Sequence, residues 1–288
     1  MSTVSITRIG IVGSGIMGTG IAEVCARSGA EVLLHDVDEA RATAAIDRID
    51  ASLTKAVSRG KLDADAAGAA RARLGATSDL DAMHDRELVI EAIVEDEAAK
   101  LAVFAALDRL LPAEGIIASN TSSIPIMKLA MATDRRDRVA GLHFFNPVPI
   151  LNLVELIPSL LTSEDTADRL RGFAGEQLGK HVILSHDRAG FIVNALLIPD
   201  LLAAIRMLES GYASAEDIDA GMVRGANHPM GPLALADLIG LDTTMAVAES
   251  MYAEFKEPLY APPPLLARMV DAGLLGRKTG RGFLTYDR

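Results

Sequence analysis

Short apolar runs alternate with longer stretches of helical spacing through the first two thirds of the chain. Residues 6–12, 31–35, 88–93, 116–119, 139–144, 151–157 and 182–184 are rich in Val, Ile and Leu, and most are bounded by Gly, Asp, Asn or Pro. Such runs predict buried strands. Between them, residues 16–28, 38–59, 63–73, 97–111, 124–131 and 164–178 carry apolar positions three and four apart, with stop and start residues at their ends, and predict helices. Strand and helix in alternation predict an α/β doubly wound, mostly parallel sheet with helices on both faces.

The pattern changes after residue 185. Residues 191–208 read as one long apolar helix that Pro199 is expected to kink or break. Ser214 followed by Asp217 resembles a capping box, and residues 233–238, 243–255 and 265–272 complete a helical set. The expected division is a sheet domain over residues 1–187 and an all-α domain over residues 188–288. The helices of the second part carry more apolar surface than a small domain buries, which predicts a homodimer formed mainly through that part.

Composition narrows the class. The chain of 288 residues is half hydrophobic and has a formal net charge of −11. This disfavours nucleic acid as a partner and requires any anion site to be local. Cys25 is the single cysteine, so no intrachain disulfide is expected, in keeping with a reducing, cytoplasmic setting. Residues 1–8 lack the layout of a secretory signal, and no apolar run approaches the ~20 residues of a membrane helix.

The turn after the first strand reads Gly13-Ser14-Gly15-Ile16-Met17-Gly18. In this G-x-G-x-x-G pattern the first glycine serves a tight turn and the second a close approach to a pyrophosphate. The third serves close helix packing, and the helix N-terminus faces the anion. Any glycine-rich turn is the bland reading. Asp36 shifts the balance: it lies about twenty residues on, at the end of the second strand, where a carboxylate meets the adenosine ribose. It would repel a 2′-phosphate, so the cofactor expected is NAD rather than NADP.

A second constellation follows. His143 and two aromatics close one strand in the run Gly141-Leu142-His143-Phe144-Phe145-Asn146-Pro147, and Glu155 lies inside the next. An unpaired glutamate in an apolar strand is costly, so Glu155 asks for a partner. Ser119-Asn120-Thr121-Ser122-Ser123 is a polar loop after a third strand. Ser122 has a plain alternative as the cap of the helix starting near residue 124. His35, His84, His181, His186 and His228 lack comparable context and read as structural or surface groups, and Cys25 reads as a small core residue.

The stretches GSGIMGTGIA, VIEAIVED, ASNTSS, GLHFFNPVPILNLVEL, GFIVN, NHPMGPLAL and GRKTGRGF span nearly the whole chain. In order and spacing they resemble the 3-hydroxyacyl-CoA dehydrogenase family, and the length resembles its single-function, 3-hydroxybutyryl-CoA dehydrogenase-like members. The resemblance implies a Rossmann-type NAD-binding domain followed by a helical substrate and dimerisation domain. The activity it implies belongs to fatty acid β-oxidation chemistry: NAD-dependent oxidation of a short (3S)-3-hydroxyacyl-CoA, or the reverse reduction.

Residue by residue, it makes His143 the base and Glu155 its paired carboxylate, and Ser122 and Asn194 the groups that hold the substrate oxygen, with Asn146 nearby. Gly13, Gly15, Ile16, Met17, Gly18, Asp36, Glu95, Lys100 and Asn120 become cofactor residues. Ser52, Lys55, Arg59 and Lys61 lie where the family meets CoA, although a solvated helix face is the bland reading. Ser122 and Asn194 come from the two halves of the chain, so the expected substrate site draws on both. Three departures stand out: Ala189 where a proline is common, Ala195 where an arginine is usual, and Ala203 where many members carry a glutamate. Two other readings are a 3-hydroxy acid dehydrogenase acting without CoA and a non-catalytic NAD-binding relative. The first class commonly uses a lysine where this chain presents His143 and Glu155.

Overall fold

The computed structural model describes residues 5–286, and the chain divides into two compact units, Met1–Asp187 and Arg188–Arg288. The first unit carries one eight-stranded sheet in the order β3-β2-β1-β4-β5-β6-β7-β8. Its strands are β1 (Arg8–Val12), β2 (Glu31–His35), β3 (Leu74–Thr77), β4 (Leu88–Glu91), β5 (Ile116–Ser119), β6 (Val139–Phe144), β7 (Leu153–Pro158) and β8 (His181–Leu184). Pairing is parallel throughout except between β6 and β7. Strands β1, β4, β5 and β6 are buried along almost their whole length, which is why they read as continuous apolar runs.

Six helices accompany the sheet: α1 (Ile16–Arg27), α2 (Glu39–Ser58), α3 (Ala64–Arg71), α4 (Glu97–Leu110), α5 (Ile126–Ala130) and α6 (Glu164–Gly172). The N-cap residue's own side chain closes four of them: Asp38, Asp63, Asp96 and Ser163 each accept a first-turn amide. Cys25 is fully buried, and burial pushes its thiol pKa up, as suits a core residue.

Two sequence expectations need correction. Strand β3 gave no signal because it is a short edge strand, LGAT, interrupted by Gly75 and never fully buried. The helix expected over residues 164–178 ends at Gly172 and widens into a π-helical turn, Phe173–Gln177. His35, read as a structural or surface group, is the former: it is buried, and its Nδ1 has no hydrogen-bond partner.

The second unit is built from α7 (Val193–Glu209), α8 (Ala215–Gly225), α9 (Pro232–Ile239), α10 (Leu241–Phe255) and α11 (Pro264–Asp271). Helix α7 runs through Pro199 without a break. Its core gathers Ile198, Leu201, Leu202, Leu233, Leu241, Met251 and Leu266. Two aspartates order its backbone. Asp219 accepts the Leu233 and Ala234 amides at the start of α9. Asp237, 1% exposed, accepts the Phe283 and Leu284 amides and the Tyr286 hydroxyl. The GRKTGRGF stretch therefore turns back onto α9, and Gly276 and Gly282 leave room for Asp237. Ala189 donates its amide to Glu254 at 2.9 Å, a bond that the common proline lacks the hydrogen to make. Ser214 caps α8 by accepting the Asp217 amide, as the sequence indicates. Among the described residues no helix is long and apolar enough to cross a membrane.

Candidate active site

Strand β1 lies between β2 and β4, so the turn after β1 sits where the strand order reverses, the ordinary place for a ligand in such a sheet. The three glycines of the turn differ in what requires them. Gly13 has φ +107°, and a Cβ there would lie 2.5 Å from the Ala92 carbonyl oxygen. A Cβ on Gly18 would lie 1.8 Å from the Gly13 carbonyl oxygen. Both are demanded by the protein's own backbone. Gly15 has φ −67°, and a Cβ there would meet nothing within 4 Å. It caps the N-terminus of α1 with open space before it, a cradle that a side chain would fill and a pyrophosphate fits.

Apolar side chains stand in solvent in the segments that follow three neighbouring strands: Ile16 at the start of α1 after β1, Val37 after β2 and Val94 after β4 are 75%, 84% and 73% exposed. Ile16 was legible as part of the glycine motif. Val37 and Val94 were not, since only exposure reveals them. Met17 is half-buried against the core. Asp36 Oδ2 accepts the Ser14 amide at 3.1 Å and the Ser14 hydroxyl at 2.5 Å. Burial raises the Asp36 pKa, but these bonds, the Asp38 amide and Arg41 outweigh it and hold the carboxyl below its ordinary value. The pocket edge is anionic, and the residues present fit NAD.

His143 and Glu155 are direct partners across the antiparallel β6–β7 pair. His143 Nδ1 lies 2.7 Å from Glu155 Oε2, with Glu155 fully buried and His143 nearly so. The Phe145 ring packs on the imidazole at 4.6 Å between centroids. The loop that follows is pinned from β8's side by Lys180, whose Nζ donates to the Val148 and Leu151 carbonyls at 2.6 and 2.7 Å. Burial, with Arg27 nearby, lowers the Lys180 pKa.

The Ser122 loop follows β5, which neighbours β6. Asn120 Oδ1 accepts the Phe144 amide at 2.9 Å and so ties this loop to the strand that carries His143. Ser122 does not cap α5. That helix begins at Ile126, and Asp187 accepts its Ile126 and Met127 amides, each at 2.7 Å. Glu95 instead gathers the loop: its Oε1 accepts the Ser122 and Ser123 amides at 3.1 and 3.2 Å, the Ser123 hydroxyl at 2.7 Å and the Thr121 hydroxyl. Burial raises the Glu95 pKa, while Lys100 and the two hydroxyls pull it down, and the net direction is below the ordinary value. Lys100 is 1% exposed, with Nζ 2.6 Å from Glu91 and 3.2 Å from Glu95. Its ammonium therefore bridges the buried Glu91 carboxyl and the partly exposed Glu95 carboxyl. Glu91 is a buried polar residue that the sequence reading passed over, although the argument applied to Glu155, a carboxylate in an apolar strand, applies to it equally.

The remaining candidates are scattered more widely. Asn146 is exposed, two residues beyond β6. Ser52 and Lys55 lie on the C-terminal half of α2, and Arg59 and Lys61 follow it. Ser52 is half-buried and the other three are exposed, with no ion pair among the described residues. Cations there also suit a helix C-terminus. Asn194 stands half-buried in the first turn of α7, in the second unit.

Comparison with known proteins follows the same division. Residues 8–188 match the 3-hydroxyacyl-CoA dehydrogenase, NAD binding domain, and residues 190–286 match the 3-hydroxyacyl-CoA dehydrogenase, C-terminal domain. The chain is 56% identical over 283 residues to a 3-hydroxybutyryl-CoA dehydrogenase of Mycobacterium tuberculosis, covering 98% of this chain and 99% of that one. The crystal structure of FadB2 from M. tuberculosis superposes with a TM-score of 0.97 at 56% identity, covering 99% of this chain and 100% of the other. That of (S)-3-hydroxybutyryl-CoA dehydrogenase PaaH1 from Ralstonia eutropha gives 0.94 at 45% identity, covering 99% and 100%. With both halves matched in order along almost its whole length, the chain belongs to the 3-hydroxyacyl-CoA dehydrogenase family and is an NAD-dependent oxidoreductase.

Proposed function

We propose that the protein oxidises the 3-hydroxyl of (3S)-3-hydroxybutyryl-CoA to the ketone, or runs the reverse reduction. The observation that carries this reading is the 2.7 Å contact between His143 Nδ1 and the buried Glu155 carboxyl. Glu155 accepts the Nδ1 hydrogen, which sets the tautomer and leaves Nε2 as the atom that takes the hydroxyl proton. Glu155 also steadies the imidazolium that forms. In the reverse direction Nε2–H returns the proton. NAD, when bound, supplies the hydride acceptor. The hydroxyl of Ser122 and the amides of Asn194 and Asn146 suit an oxygen whose charge changes during the reaction.

Gly15 and the N-terminus of α1 would receive the pyrophosphate, Asp36 the ribose hydroxyls, and Ile16, Met17, Glu95, Lys100 and Asn120 complete the cofactor side. Ser52, Lys55, Arg59 and Lys61 are the CoA-facing candidates, supported by their exposure and their local positive charge in an acidic protein.

Steady-state rates over a chain-length series of 3-hydroxyacyl-CoA esters, with NAD and with NADP, test the proposal. The expected result is highest kcat/KM for the four-carbon ester with NAD. Equal turnover of free 3-hydroxybutyrate would favour a dehydrogenase that does not need CoA, and no NADH from any ester would sink the catalytic reading.

We also infer a homodimer working in the cytoplasm. Leu196 on α7 and Leu238 on α9 are 74% and 49% exposed within apolar helices, and the lone cysteine suits a reducing compartment. A monomeric mass by light scattering at micromolar concentration would overturn the dimer.

A further inference from the structure

We propose that a hollow between the end of α1, the start of α3 and the loop after β6 seats the nucleotide end of the CoA ester, with Arg27 and Lys180 meeting its phosphates. This deepens the proposed oxidation of a 3-hydroxyacyl-CoA and rests on it.

The hollow lies wholly within the first unit and has a volume of about 450 Å³, within the range of small-molecule sites. Val24 and Arg27 of α1 line it, with Leu62 before α3, Pro149 and Ile150 of the loop after β6, and Lys180 before β8. Two cations and no carboxylate face it, in a chain of net charge −11. Arg27 Nη1 lies 3.4 Å from Glu23 Oε1, a long contact that engages one corner of a five-donor group. Lys180 Nζ spends two of its three hydrogens on the Val148 and Leu151 carbonyls, which leaves a third for an anion. Burial and the neighbouring Arg27 both disfavour the Lys180 charge. Like charges thus converge on one space, and an anion between them relieves both.

The apolar walls suit the rest of a nucleotide. Val24, Leu62 and Pro149 offer surface to a base, and Ile150, 68% exposed, is an apolar side chain that a ring laid in the hollow would cover. Chain continuity links the hollow to both ends of the proposed substrate site. Leu62 directly follows Lys61, a CoA-facing candidate, and Pro149 lies three residues beyond Asn146, on the side of the reacting carbon. An exposed helix end such as that of α2 attracts an anion without fixing it. A walled hollow with two cations holds base and phosphate together.

The test compares wild type with Arg27→Gln on two substrates, 3-hydroxybutyryl-CoA and 3-hydroxybutyryl-pantetheine, which carries the same thioester without the nucleotide. Lys180 is left in place because it pins the loop after β6. Arg27→Gln should raise KM for the CoA ester about 5- to 20-fold, the scale of one partly exposed charged contact. KM for the pantetheine ester, and kcat for both, should stay within about 2-fold of wild type. Adenosine 3′,5′-bisphosphate should compete with the CoA ester, and its Ki should rise with the same substitution. An unchanged KM for the CoA ester in Arg27→Gln, beside a raised one when Lys55, Arg59 and Lys61 are all made alanine, would place the phosphates on α2 and overturn the inference with the proposed activity intact. Equal rises for the two esters would make Arg27 a structural residue and overturn it as well. Non-competitive inhibition by the bisphosphate would do the same, by making the hollow a site for a free nucleotide. No turnover of either ester by the wild-type enzyme would sink the proposed function and this inference with it. Should Arg27→Gln not fold, Ile150→Glu sets a carboxylate at the hollow, and the same split between the two esters decides the matter.

Discussion

Two buried glutamates of the same sheet, Glu155 and Glu91, each meet a side-chain nitrogen, and the two pairs end differently. Glu155 faces His143 across neighbouring strands, and the imidazole keeps 7% of its surface exposed. Glu91 faces Lys100, which comes from the first turns of α4, and neither reaches solvent. The first pair ends at a group able to exchange a proton with something outside the protein. The second pair ends inside, on hydroxyls and amides of the Ser122 loop. A buried charge therefore does not announce catalysis by being buried. What separates the two is whether one member keeps an outlet to the surface.

The sharpest way to break this comparison is at the histidine. His143→Gln is expected to lower kcat by about 10²–10⁴-fold, the usual worth of a general base, with NADH affinity and unfolding free energy little changed. Glu155→Gln should lower kcat through the same imidazole, because an amide can present its N–H to Nδ1 and reverse the tautomer. Steady-state kinetics beside NADH titration check both. Near-wild-type turnover in His143→Gln would end the proposed mechanism.

The inner pair should respond in stability. Lys100→Met alone leaves the buried Glu91 carboxyl without its cation, and breaking such a pair costs about 3–5 kcal/mol. Removing both charges together should recover most of that loss. Urea unfolding of the single and double variants measures it, and equal losses in the two would mean that charge pairing is not what holds this region.

A smaller contrast sharpens the same point in the glycine turn. Gly18→Ala drives a Cβ into the Gly13 carbonyl and should destabilise the protein by about 1–3 kcal/mol. Gly15→Ala meets no protein atom, so its stability should stay within about 0.5 kcal/mol of wild type, while NADH binding weakens. Unaltered NADH affinity in Gly15→Ala would show that the space before α1 is not the pyrophosphate cradle.

The smallest expected effect is in pH. The Asp36 and Glu95 carboxyls both have folded pKa values depressed below their ordinary 3.8 and 4.5. A depressed carboxyl contributes stability that is fully present above its unfolded value and is lost as pH falls through the folded one. Stability and the preference for NAD over NADP should thus be flat from pH 8 to 6 with respect to these two groups. The stabilising share of Glu95 should disappear below its ordinary value, so Glu95→Gln should make the acid limb of the unfolding curve shallower. An acid limb identical to wild type would remove Glu95 from that account.

Much of this protein was legible because its signals are local. The apolar runs β1, β2, β4, β5 and β6 are buried strands and read as such. The glycine turn followed by Asp36 is a contiguous motif, and the motifs along the chain carried the family. Glu155 could be singled out from sequence because a carboxylate in an apolar strand must find a partner. The sequence did not say that the partner would be met through an antiparallel register, His143 opposite Glu155. Strand β3 escaped because edge position, not residue pattern, makes it a strand.

The rest was decided in three dimensions. Asp187 rather than Ser122 caps α5, from 61 residues away. Asp237 holds the returning GRKTGRGF segment across 46 residues. Glu91, Lys100 and Glu95 join β4, α4 and the loop after β5 into one assembly. Local residue choice determines which segments become strands, helices and turns, because backbone preference and burial period act over a few residues. The partner of a buried polar group is chosen by whatever the packed elements bring within about 3 Å, and only the tertiary structure fixes that neighbour.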